Sequence, residues 1–411
     1  MGVDCSVPAA RLQETSRKVR PMLDPRLAAR IDETVAREDA ALRKLALDIH
    51  QHPELRYEEH RAAAWISEFL KSRGFEVEAN LGGLATAFRA RAGKAGGPRI
   101  AVLAEYDALA GMGHACGHNL IAAGAVGAFV AAASVAKEAG GEVVLIGTPA
   151  EEGGGGKVRL IAAGAFEGLD AAMMFHPFDR DVLAHPALAS LWLSFAFLGQ
   201  PAHAAAAPHA GHSALTACMD TFRLIDGQRV HFRDGVRVHG YIQDGGQAVN
   251  IIPERSQCEF SVRAADTAEL ARVRAIVERC ARAAAMASDV EVRITLREGY
   301  RDLRNNMELA RAFGAELASL GRVARERDPR VGAGSTDMGD VSHVVPCIHP
   351  YLAVVDEGAA QIHDHGFVAA SGSERGLSTA MLAARAMART TALLLGDASL
   401  LGRVRDEWLG P

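Results

Sequence analysis

The stretch IAVLAEYDALAGMGHACGH, residues 100–118, decides the fold class of this chain. It opens with an apolar run, residues 100–105, whose aliphatic side chains predict a buried strand. It closes with a glycine-rich turn that leads into an alanine-rich segment, residues 116–136, which reads as a buried helix. A strand followed by such a helix is the building unit of α/β folds, whose sites lie at the carboxyl ends of strands.

The same alternation extends in both directions from this stretch. Further strands are predicted at residues 75–78, 85–89, 143–147 and 171–175, and further helices at residues 32–50, 58–72 and 158–163. After residue 299 the pattern returns to helices and strands and ends in a long helix, residues 377–395. The sequence therefore predicts an α/β domain with a mixed sheet.

A different order interrupts that domain. Strand, helix, strand, strand, helix and strand are predicted at residues 191–198, 212–225, 236–243, 257–263, 267–286 and 290–296, which is the β-α-β-β-α-β order of a ferredoxin-like module. We therefore expect a discontinuous catalytic domain, residues 1–187 and 299–411. An α+β domain, residues 188–298, is inserted in it.

Composition and charge exclude several classes of partner. The chain has 411 residues and a formal net charge of −5, and no Lys/Arg-rich stripe predicts binding to nucleic acid or to an anionic membrane. Its alanine-rich stretches are too short for membrane spans.

The six cysteines are scattered without paired spacing and residues 1–20 lack a signal-peptide core, so we expect a cytoplasmic protein without a disulfide framework. A small-molecule substrate fits this profile.

Four groups of residues with metal-binding chemistry follow predicted strands or turns. Cys116 and His118 can offer a thiolate and an imidazole to one ion, although a cysteine at a helix start is often simply buried. Glu151 and Glu152 can divide between a ligand and a proton acceptor, or they can form a solvated acidic turn. His176 follows the strand at residues 171–175, where a structural histidine is the plainer interpretation.

The fourth group is the segment IHDHGF, residues 362–367. Taken alone, each of the four groups has an explanation without metal. Taken together, they supply cysteine, histidine and glutamate ligands plus a spare glutamate, which is what a two-metal hydrolytic site requires.

Several segments, in this order and spacing, give the chain a resemblance to a known family. They are His52-Pro53-Glu54-Leu55, His114-Ala115-Cys116-Gly117-His118, Glu151-Glu152-Gly153, His203-Ala204-Ala205, the run GGQAVNIIP at residues 245–253, and Gly334-Ser335-Thr336-Asp337. The chain resembles the dinuclear-metal amidohydrolase and aminoacylase/carboxypeptidase family, in the branch that includes hippurate hydrolase and aminobenzoyl-glutamate hydrolase. The resemblance covers nearly the whole chain. It implies a zinc-peptidase-like catalytic domain interrupted by a ferredoxin-like lid that also dimerises.

The resemblance also implies roles for individual residues. Cys116 would bridge two metal ions, and His118, Glu152 and His176 would complete the two sides. His363 would be the remaining ligand, with His365 as its rival. Glu151 would be the general base that takes a proton from a water held between the metals and later passes it to the leaving nitrogen.

Residues of the lid complete the implied site. His203 and Asn250 resemble residues that reach the active site of a partner subunit, so a homodimer is expected. His209 stands where close relatives often have tryptophan, and it is a candidate substrate contact. Arg263 could pair with a substrate carboxylate, although a strand arginine can equally be structural. Asn119 departs from the family, since many relatives have aspartate after the Cys-Gly-His segment.

The sequence thus predicts metal-dependent hydrolysis of an amide C–N bond in an N-acyl amino acid, a dipeptide or an N-aroyl conjugate. Two divalent ions per subunit are expected; zinc or manganese is favoured, with cobalt or nickel as alternatives. Two other functions remain open. One is hydrolytic deamination of an aromatic amine or attack on another non-peptide C–N bond, and the other is a non-catalytic protein that binds a small molecule.

Overall fold

The computed structural model describes residues 22–330 and 332–410. The described helices are α1 (Pro25–Gln51), α2 (His60–Lys71), α3 (His118–Ala139), α4 (Gly156–Ala162), α5 (Ala214–Gln228), α6 (Thr267–Ala287), α7 (Met307–Ser319), α8 (Met338–Ser342), α9 (His365–Ser371), α10 (Glu374–Gly396) and α11 (Ala398–Leu409). The described strands are β1 (Val77–Ala79), β2 (Phe88–Gly93), β3 (Arg99–Ala104), β4 (Glu142–Gly147), β5 (Ala171–Met173), β6 (His176–Phe178), β7 (Ala189–Leu198), β8 (Arg237–Asp244), β9 (Arg255–Ala264), β10 (Glu291–Tyr300), β11 (Cys347–Ile348) and β12 (Tyr351–Ala353).

The central sheet has six strands in the order β1-β2-β4-β3-β5-β11. The pairs of β4 with β3, β3 with β5 and β5 with β11 are parallel, whereas β1 with β2 and β2 with β4 are antiparallel. The sheet is therefore mixed, as the sequence predicts. Because β3, β4 and β5 run in the same direction, the residues that follow them meet at one edge.

Side-chain alternation along the strands buries both faces of this sheet. On one face, Ile100 and Val102 belong to the large core formed with α1, α2, α3, α7 and α10. On the other face, Ala101 and Leu103 belong to a second core that includes residues of α4 and α8. The result is a three-layer arrangement of helices, sheet and helices.

Helix α3 is buried on nearly all sides. It packs against α1 and α10 as well as the sheet, and its small residues allow these close approaches. It is the one described helix long and apolar enough to cross a membrane, yet 89% of its most apolar 18-residue stretch is buried inside the protein. Its composition thus fits a core helix as well as a membrane span.

The inserted segment forms a separate four-stranded sheet in the order β10-β7-β9-β8, with all neighbours antiparallel. Helices α5 and α6 cover one face and share a core with alternate strand residues such as Leu193, Phe195 and Phe260. We call this β7–β10, α5 and α6 assembly the four-stranded unit. Its element order is the β-α-β-β-α-β order expected from the sequence.

Two local differences from the sequence predictions have physical causes. Strand β2 begins at Phe88, later than expected, because residues 84–87 form a turn whose Thr86 carbonyl accepts a hydrogen bond from the Tyr106 hydroxyl at 2.6 Å. His176 does not merely follow the strand at residues 171–175. It begins its own short strand, β6, which pairs in parallel with β12.

The described cysteines are all free thiols, namely Cys116, Cys218, Cys258, Cys280 and Cys347. Cys5 lies outside the described residues.

Candidate metal centre

The carboxyl ends of the parallel strands bring acidic and histidine side chains to one place. Glu105 and Asp107 follow β3, and Glu151 and Glu152 follow β4. His176 follows β5. Since these three strands are neighbours in the sheet, the side chains converge at a single edge, as expected for an α/β fold.

The turn before α3 adds the cysteine and the second histidine. Gly117 caps the helix with a φ of 78°, and a Cβ placed there would lie 2.5 Å from Cγ of Pro177. Only glycine fits this position, because it alone tolerates both the left-handed backbone and the close approach. The turn therefore holds Cys116 and His118 directly against β6.

A loop from the far end of the chain completes the cluster. The backbone N–H of His363 donates to the carbonyl of Ala115 at 2.9 Å, which ties this loop to the cysteine turn. His363 has a φ of 68°, and Ala150, just before Glu151, has a φ of 59°. Non-glycine residues in this region are strained and cluster at functional sites.

The side chains form overlapping groups in which the candidate ligand atoms lie within 4.8 Å of one another. One group is Cys116, His118 and His176, and another is Cys116, Glu152 and His363. The Sγ of Cys116 lies 3.4 Å from Nε2 of His176, and Nε2 of His363 lies 3.4 Å from Oε1 of Glu152. Cys116 is common to both groups, which is the arrangement a bridging ligand needs. His365 belongs to none of the groups found among the described residues.

Unsatisfied buried atoms provide a test of whether these residues fit a metal. Nε2 of His118 and Oε1 of Glu152 are buried and have no hydrogen-bond partner among the described residues. Buried polar atoms without partners are rare and need an explanation. A divalent cation held between them would satisfy both atoms, and the mixture of imidazole, carboxylate and thiol suits such an ion. The residues therefore fit a metal centre.

Asp107 orients His118. Its Oδ1 lies 3.0 Å from Nδ1 of His118, and its Oδ2 accepts the backbone N–H of Glu152 at 2.8 Å. A histidine that donates Nδ1–H to a carboxylate presents Nε2 to a metal, which is a common supporting arrangement. Burial disfavours the charged imidazole, but Asp107, together with Cys116 and Glu105, outweighs burial and raises the pKa of His118 well above its usual value.

The other ligand candidates have protonation states set mainly by burial. Burial and the nearby charge of His118 lower the pKa of His176 to about 3, so this imidazole is neutral, as a metal ligand must be. Burial and the Glu152 carboxylate raise the pKa of the Cys116 thiol well above its usual value. Metal binding at Cys116 therefore requires loss of a proton.

Glu151 lies in a strongly acidic surrounding. Its side chain is 12% exposed, and its Oε2 is 3.9 Å from Nε2 of His118. Burial, together with the carboxylates of Glu105, Glu152 and Asp337, raises the pKa of Glu151 well above its usual value. Bound cations would oppose this effect, since nearby positive charge favours the carboxylate form.

A buried lysine lies beside the cluster. Nζ of Lys157 forms ion pairs with Glu105 and, at 2.7 Å, with Oδ1 of Asp337. The backbone N–H of Lys157 also donates to Oδ2 of Asp337 at 3.0 Å. All three side chains are almost completely excluded from solvent.

We call the candidate ligands Cys116, His118, Glu152, His176 and His363 the metal cluster. A cavity of about 290 Å³ opens beside them. Glu151, Glu152 and His363 line one side of it. The four-stranded unit provides the opposite side through Trp192, Arg263, Glu298 and Tyr300, and Arg56 lines it as well. Such a cavity is of the size that holds a small ligand.

The predicted substrate residues are divided between two places. Arg263 lines the cavity. His203, Asn250 and His209 are exposed on the four-stranded unit and do not line it. His203 and Asn250 are neighbours, because the backbone N–H of Ala204 donates to the carbonyl of Asn250 at 3.0 Å. Within one chain they do not join the metal cluster, so their expected role in a partner's site stays a prediction.

Asn119 has a structural explanation. Its Nδ2 donates to the carbonyls of Ala46 at 3.2 Å and Ser371 at 2.9 Å, and the residue is fully buried. An aspartate has no N–H to donate to these carbonyls. The departure from the family pattern therefore matches the local packing.

The sequence alone predicted no ligand or catalytic role for four residues at this site, namely Glu105, Asp107, Lys157 and Asp337. Glu105 and Asp107 end an apolar strand, which was a usable signal. The sequence around Lys157 gave no such signal, because a lysine after a run of glycines is expected to be exposed.

The comparisons with known proteins agree with this geometry. Residues 102–385 match the model of Peptidase family M20/M25/M40. The chain is 38% identical to the Xaa-Arg dipeptidase of Mus musculus, covering 94% of this chain and 92% of that protein. It is 30% identical to one of the subunits of p-aminobenzoyl-glutamate hydrolase from Escherichia coli, covering 92% of this chain and 94% of that protein.

A solved structure shares the fold. It is a dinuclear metal-binding peptidase of the M20 family from Bacillus subtilis, with a TM-score of 0.67 and 21% identity, covering 87% of this chain and 98% of that one. The matched segment contains every residue of the metal cluster and the whole four-stranded unit. The chain belongs to Peptidase family M20/M25/M40.

Proposed function

We propose that this protein hydrolyses the amide bond of a small substrate with a free carboxylate, with a dipeptide as the leading class, at the centre built around Cys116. The observation that carries the proposal is the pair of ligand groups that share Cys116 beside a cavity of substrate size. Family membership supports the same reaction class.

The residues available to hold two divalent ions are Cys116 as the shared ligand, with His118, His176, Glu152 and His363 around it. A metal pair supplies Lewis-acid polarisation of the amide carbonyl and a lowered pKa for water. Zinc or manganese suits this donor set best, with cobalt or nickel as alternatives.

Glu151 is the proton carrier in this proposal. It belongs to the group that it forms with His118 and Glu152, and it also lines the cavity. As a carboxylate it takes a proton from the attacking water, and as an acid it then delivers that proton to the leaving nitrogen. The Tyr300 hydroxyl lies 3.3 Å from the Glu151 carbonyl and holds the backbone of this loop in place.

Arg263 is the proposed partner of the substrate carboxylate. It projects from the uncovered face of the four-stranded unit into the cavity. An arginine fork matches a carboxylate with two parallel hydrogen bonds. This contact would place the scissile bond between Arg263 and the metal cluster.

The side-chain preference is proposed from Glu298, which lines the same cavity. Its Oε1 lies 3.7 Å from an Arg56 nitrogen, too far for a hydrogen bond. A cationic substrate side chain can therefore compete for Glu298. Similarity to a protein named for cleaving Xaa-Arg dipeptides supports a basic residue at this position.

A second candidate substrate class is an N-aroyl glutamate. Trp192 offers an aromatic face in the cavity, and Arg56 and Arg263 offer two positive charges. Two arginines suit the two carboxylates of glutamate. Similarity to part of a p-aminobenzoyl-glutamate hydrolase supports this candidate.

The four-stranded unit is proposed to be a ferredoxin-like lid, residues 188–298, that also joins two copies of the chain. Strand β8 lies at the edge of its sheet, and Tyr241, Ile242, Val249 and Ile251 expose large apolar surface there. Unpaired edges and apolar patches favour pairing with another chain. The catalytic domain would comprise residues 1–187 and 299–411. A cytoplasmic location is proposed from the free thiols.

Product analysis tests the proposal directly. Purified protein loaded with zinc or manganese is incubated with Xaa-Arg and Xaa-Lys dipeptides, matched Xaa-Leu dipeptides, N-acyl amino acids, aroyl-glutamates and amino-aromatic acids. Mass spectrometry then identifies the products. We expect paired acid and amine fragments, with Xaa-Arg and Xaa-Lys cleaved faster than Xaa-Leu, and no fragments from Glu151→Ala.

Other outcomes assign the rival functions. Preferred cleavage of aroyl-glutamates would favour the second substrate class. Release of ammonia with a hydroxylated product would establish deamination. Tight binding of a panel compound without turnover would support a binding protein.

A further inference from the structure

Lys157 is a fully buried cation beside the metal cluster. It lies in the first turn of α4, its exposure is 0%, and its ammonium group contacts Glu105 and Asp337. Lysine is almost never fully buried unless it is paired. Burial lowers the pKa of Lys157, but the carboxylates of Asp337, Glu105 and Glu151 together outweigh burial and raise it, so the ammonium form persists.

The carboxylates around Lys157 have the geometry of a cation site. One oxygen each of Glu105, Glu151 and Asp337 lies within 4.8 Å of the other two, which is the spacing found in the proposed metal ligand groups. We call these three residues the carboxylate cage. Glu151 therefore belongs both to this cage and to the group of His118 and Glu152.

A second, independent observation concerns Glu105, a member of the cage. Oε2 of Glu105 is buried and has no hydrogen-bond partner among the described residues, although Oε1 of the same side chain contacts Lys157. Oε2 lies 3.6 Å from Nε2 of His118. Glu105 thus contacts the lysine with one oxygen and keeps the other, unsatisfied oxygen beside His118.

We propose that Lys157 is a built-in cation, whose ammonium group occupies the place that a third divalent ion would take in the carboxylate cage. The proposal rests on the proposed function in one respect, namely that Glu151 carries the proton. A third divalent ion would bind a Glu151 oxygen and withdraw it from proton transfer. The ammonium group instead balances Glu105 and Asp337 without forming a coordination bond to Glu151.

The physical advantage of a lysine here is permanence. A divalent ion in this cage would exchange with the solution, whereas the covalently attached ammonium has its position set by α4. The backbone N–H of Lys157 donates to the same Asp337 that its side chain contacts, so main chain and side chain act on one carboxylate. Lys157 is therefore a positioning residue for Glu105 and Asp337, the two members of the cage that it contacts.

The test replaces the lysine and supplies a cation from solution. Lys157→Ala leaves an empty channel and uncompensated carboxylates. Its melting temperature is measured in chelator, in n-butylammonium chloride, in n-butanol and in MnCl₂. We expect butylammonium and Mn²⁺ to raise the melting temperature of K157A by several degrees more than that of the wild type, and n-butanol to have no such effect.

Metal counting gives the second readout, and it needs no substrate. Manganese-loaded K157A is expected to hold one more ion per chain than the manganese-loaded wild type, by mass spectrometry of the metal after desalting. Lys157→Arg, which keeps the charge, should hold the wild-type number. E105Q/K157A, which removes one cage oxygen, should lose the additional ion.

Failure to fold is also informative. If K157A is recovered only as insoluble protein, it is refolded with each additive, and recovery with butylammonium or Mn²⁺ but not n-butanol supports the proposal. Equal metal counts in K157A and wild type, or equal effects of n-butanol and butylammonium, would overturn it. These readouts do not depend on substrate hydrolysis. Failure of the proposed function can therefore be distinguished from failure of the proposal for Lys157.

Discussion

Asp107 supports two candidate metal ligands, although it belongs to none of the ligand groups found among the described residues. It fixes the ring of His118 and, through its other oxygen, the backbone of Glu152. Two candidate ligands, one at the start of α3 and one in the loop after β4, therefore depend on a single carboxylate.

We predict that Asp107→Asn lowers metal affinity about 10- to 100-fold, the range seen when supporting partners of metal-binding histidines are removed. Isothermal titration of the metal-free protein with Zn²⁺ or Mn²⁺ measures the change. Asp170→Asn is the control and should leave affinity unchanged, because this carboxylate pairs with Arg405 and the Arg99 backbone N–H at the opposite end of β3 from the candidate ligands. Equal affinities in D107N and D170N would refute the assigned role.

Asp302 provides a prediction for pH. Its Oδ1 accepts hydrogen bonds from the Thr267 backbone N–H at 2.9 Å and from the Thr267 hydroxyl at 2.6 Å, at the start of α6. Burial raises the pKa of Asp302, but these hydrogen bonds outweigh burial and lower it below 3.8. A depressed folded-state pKa stabilises the protein above the unfolded pKa, and this contribution is lost as pH falls through the folded value.

Asp302→Asn should therefore lower the free energy of unfolding by about 1 kcal/mol near neutral pH, because a charge-assisted acceptor becomes a neutral one. The difference from wild type should shrink as pH falls from about 5 towards 3. Urea unfolding across this range measures it. A difference that is independent of pH would show that the carboxylate charge is not responsible.

At the scale of elements, helix α3 depends on small residues. A Cβ at Gly127 would lie 2.9 Å from Cδ1 of Leu42 on α1 and 3.1 Å from Cβ of Ala384 on α10. A Cβ at Gly227, on the exposed part of α5, would meet nothing within 4 Å. The same substitution should therefore have opposite effects at the two positions.

We predict that Gly127→Ala lowers the free energy of unfolding by about 1–3 kcal/mol through overpacking. Gly227→Ala should raise it by about 0.5–1 kcal/mol, since alanine is the better helix former. Urea denaturation of both variants against wild type measures the pair. Stabilisation by G127A would mean that α1 and α10 can move apart at little cost.

At the scale of the whole molecule, the exposed His203 and the metal cluster are proposed to meet across a dimer. E151A and H203A should each be inactive as pure proteins. Mixed by unfolding and refolding together, they should regain about a quarter of wild-type activity, because half of the dimers pair one of each and contain one intact site. Light scattering checks the dimer.

A mixture that remains inactive although heterodimers form would place His203 in its own subunit's site or outside catalysis. I242D, which puts a charge on the β8 edge, serves as a companion variant. It should yield monomers with little activity.

The sequence anticipated the element order because its strands and helices have strong periodicity. It indicated candidate ligands because Glu151, Glu152 and His176 follow apolar strands, while Cys116 and His118 stand in a glycine-rich turn. The carboxylate cage escaped prediction for a physical reason. Lys157 and Asp337 are far apart in the chain, and charged residues read as exposed until the fold brings them together. The cavity escaped as well, because Trp192 and Glu298 face the cluster only once the four-stranded unit is in place.

The position of His363 has a consequence for biosynthesis. Cys116 precedes the four-stranded unit in the chain, and His363 follows it. During translation, the four-stranded unit has all its strands before the ribosome has made the last candidate ligand, and domains generally fold as units as they emerge. The nascent chain therefore carries a complete four-stranded unit beside an incomplete set of candidate ligands, and any metal site that uses His363 can form only after translation has passed that residue.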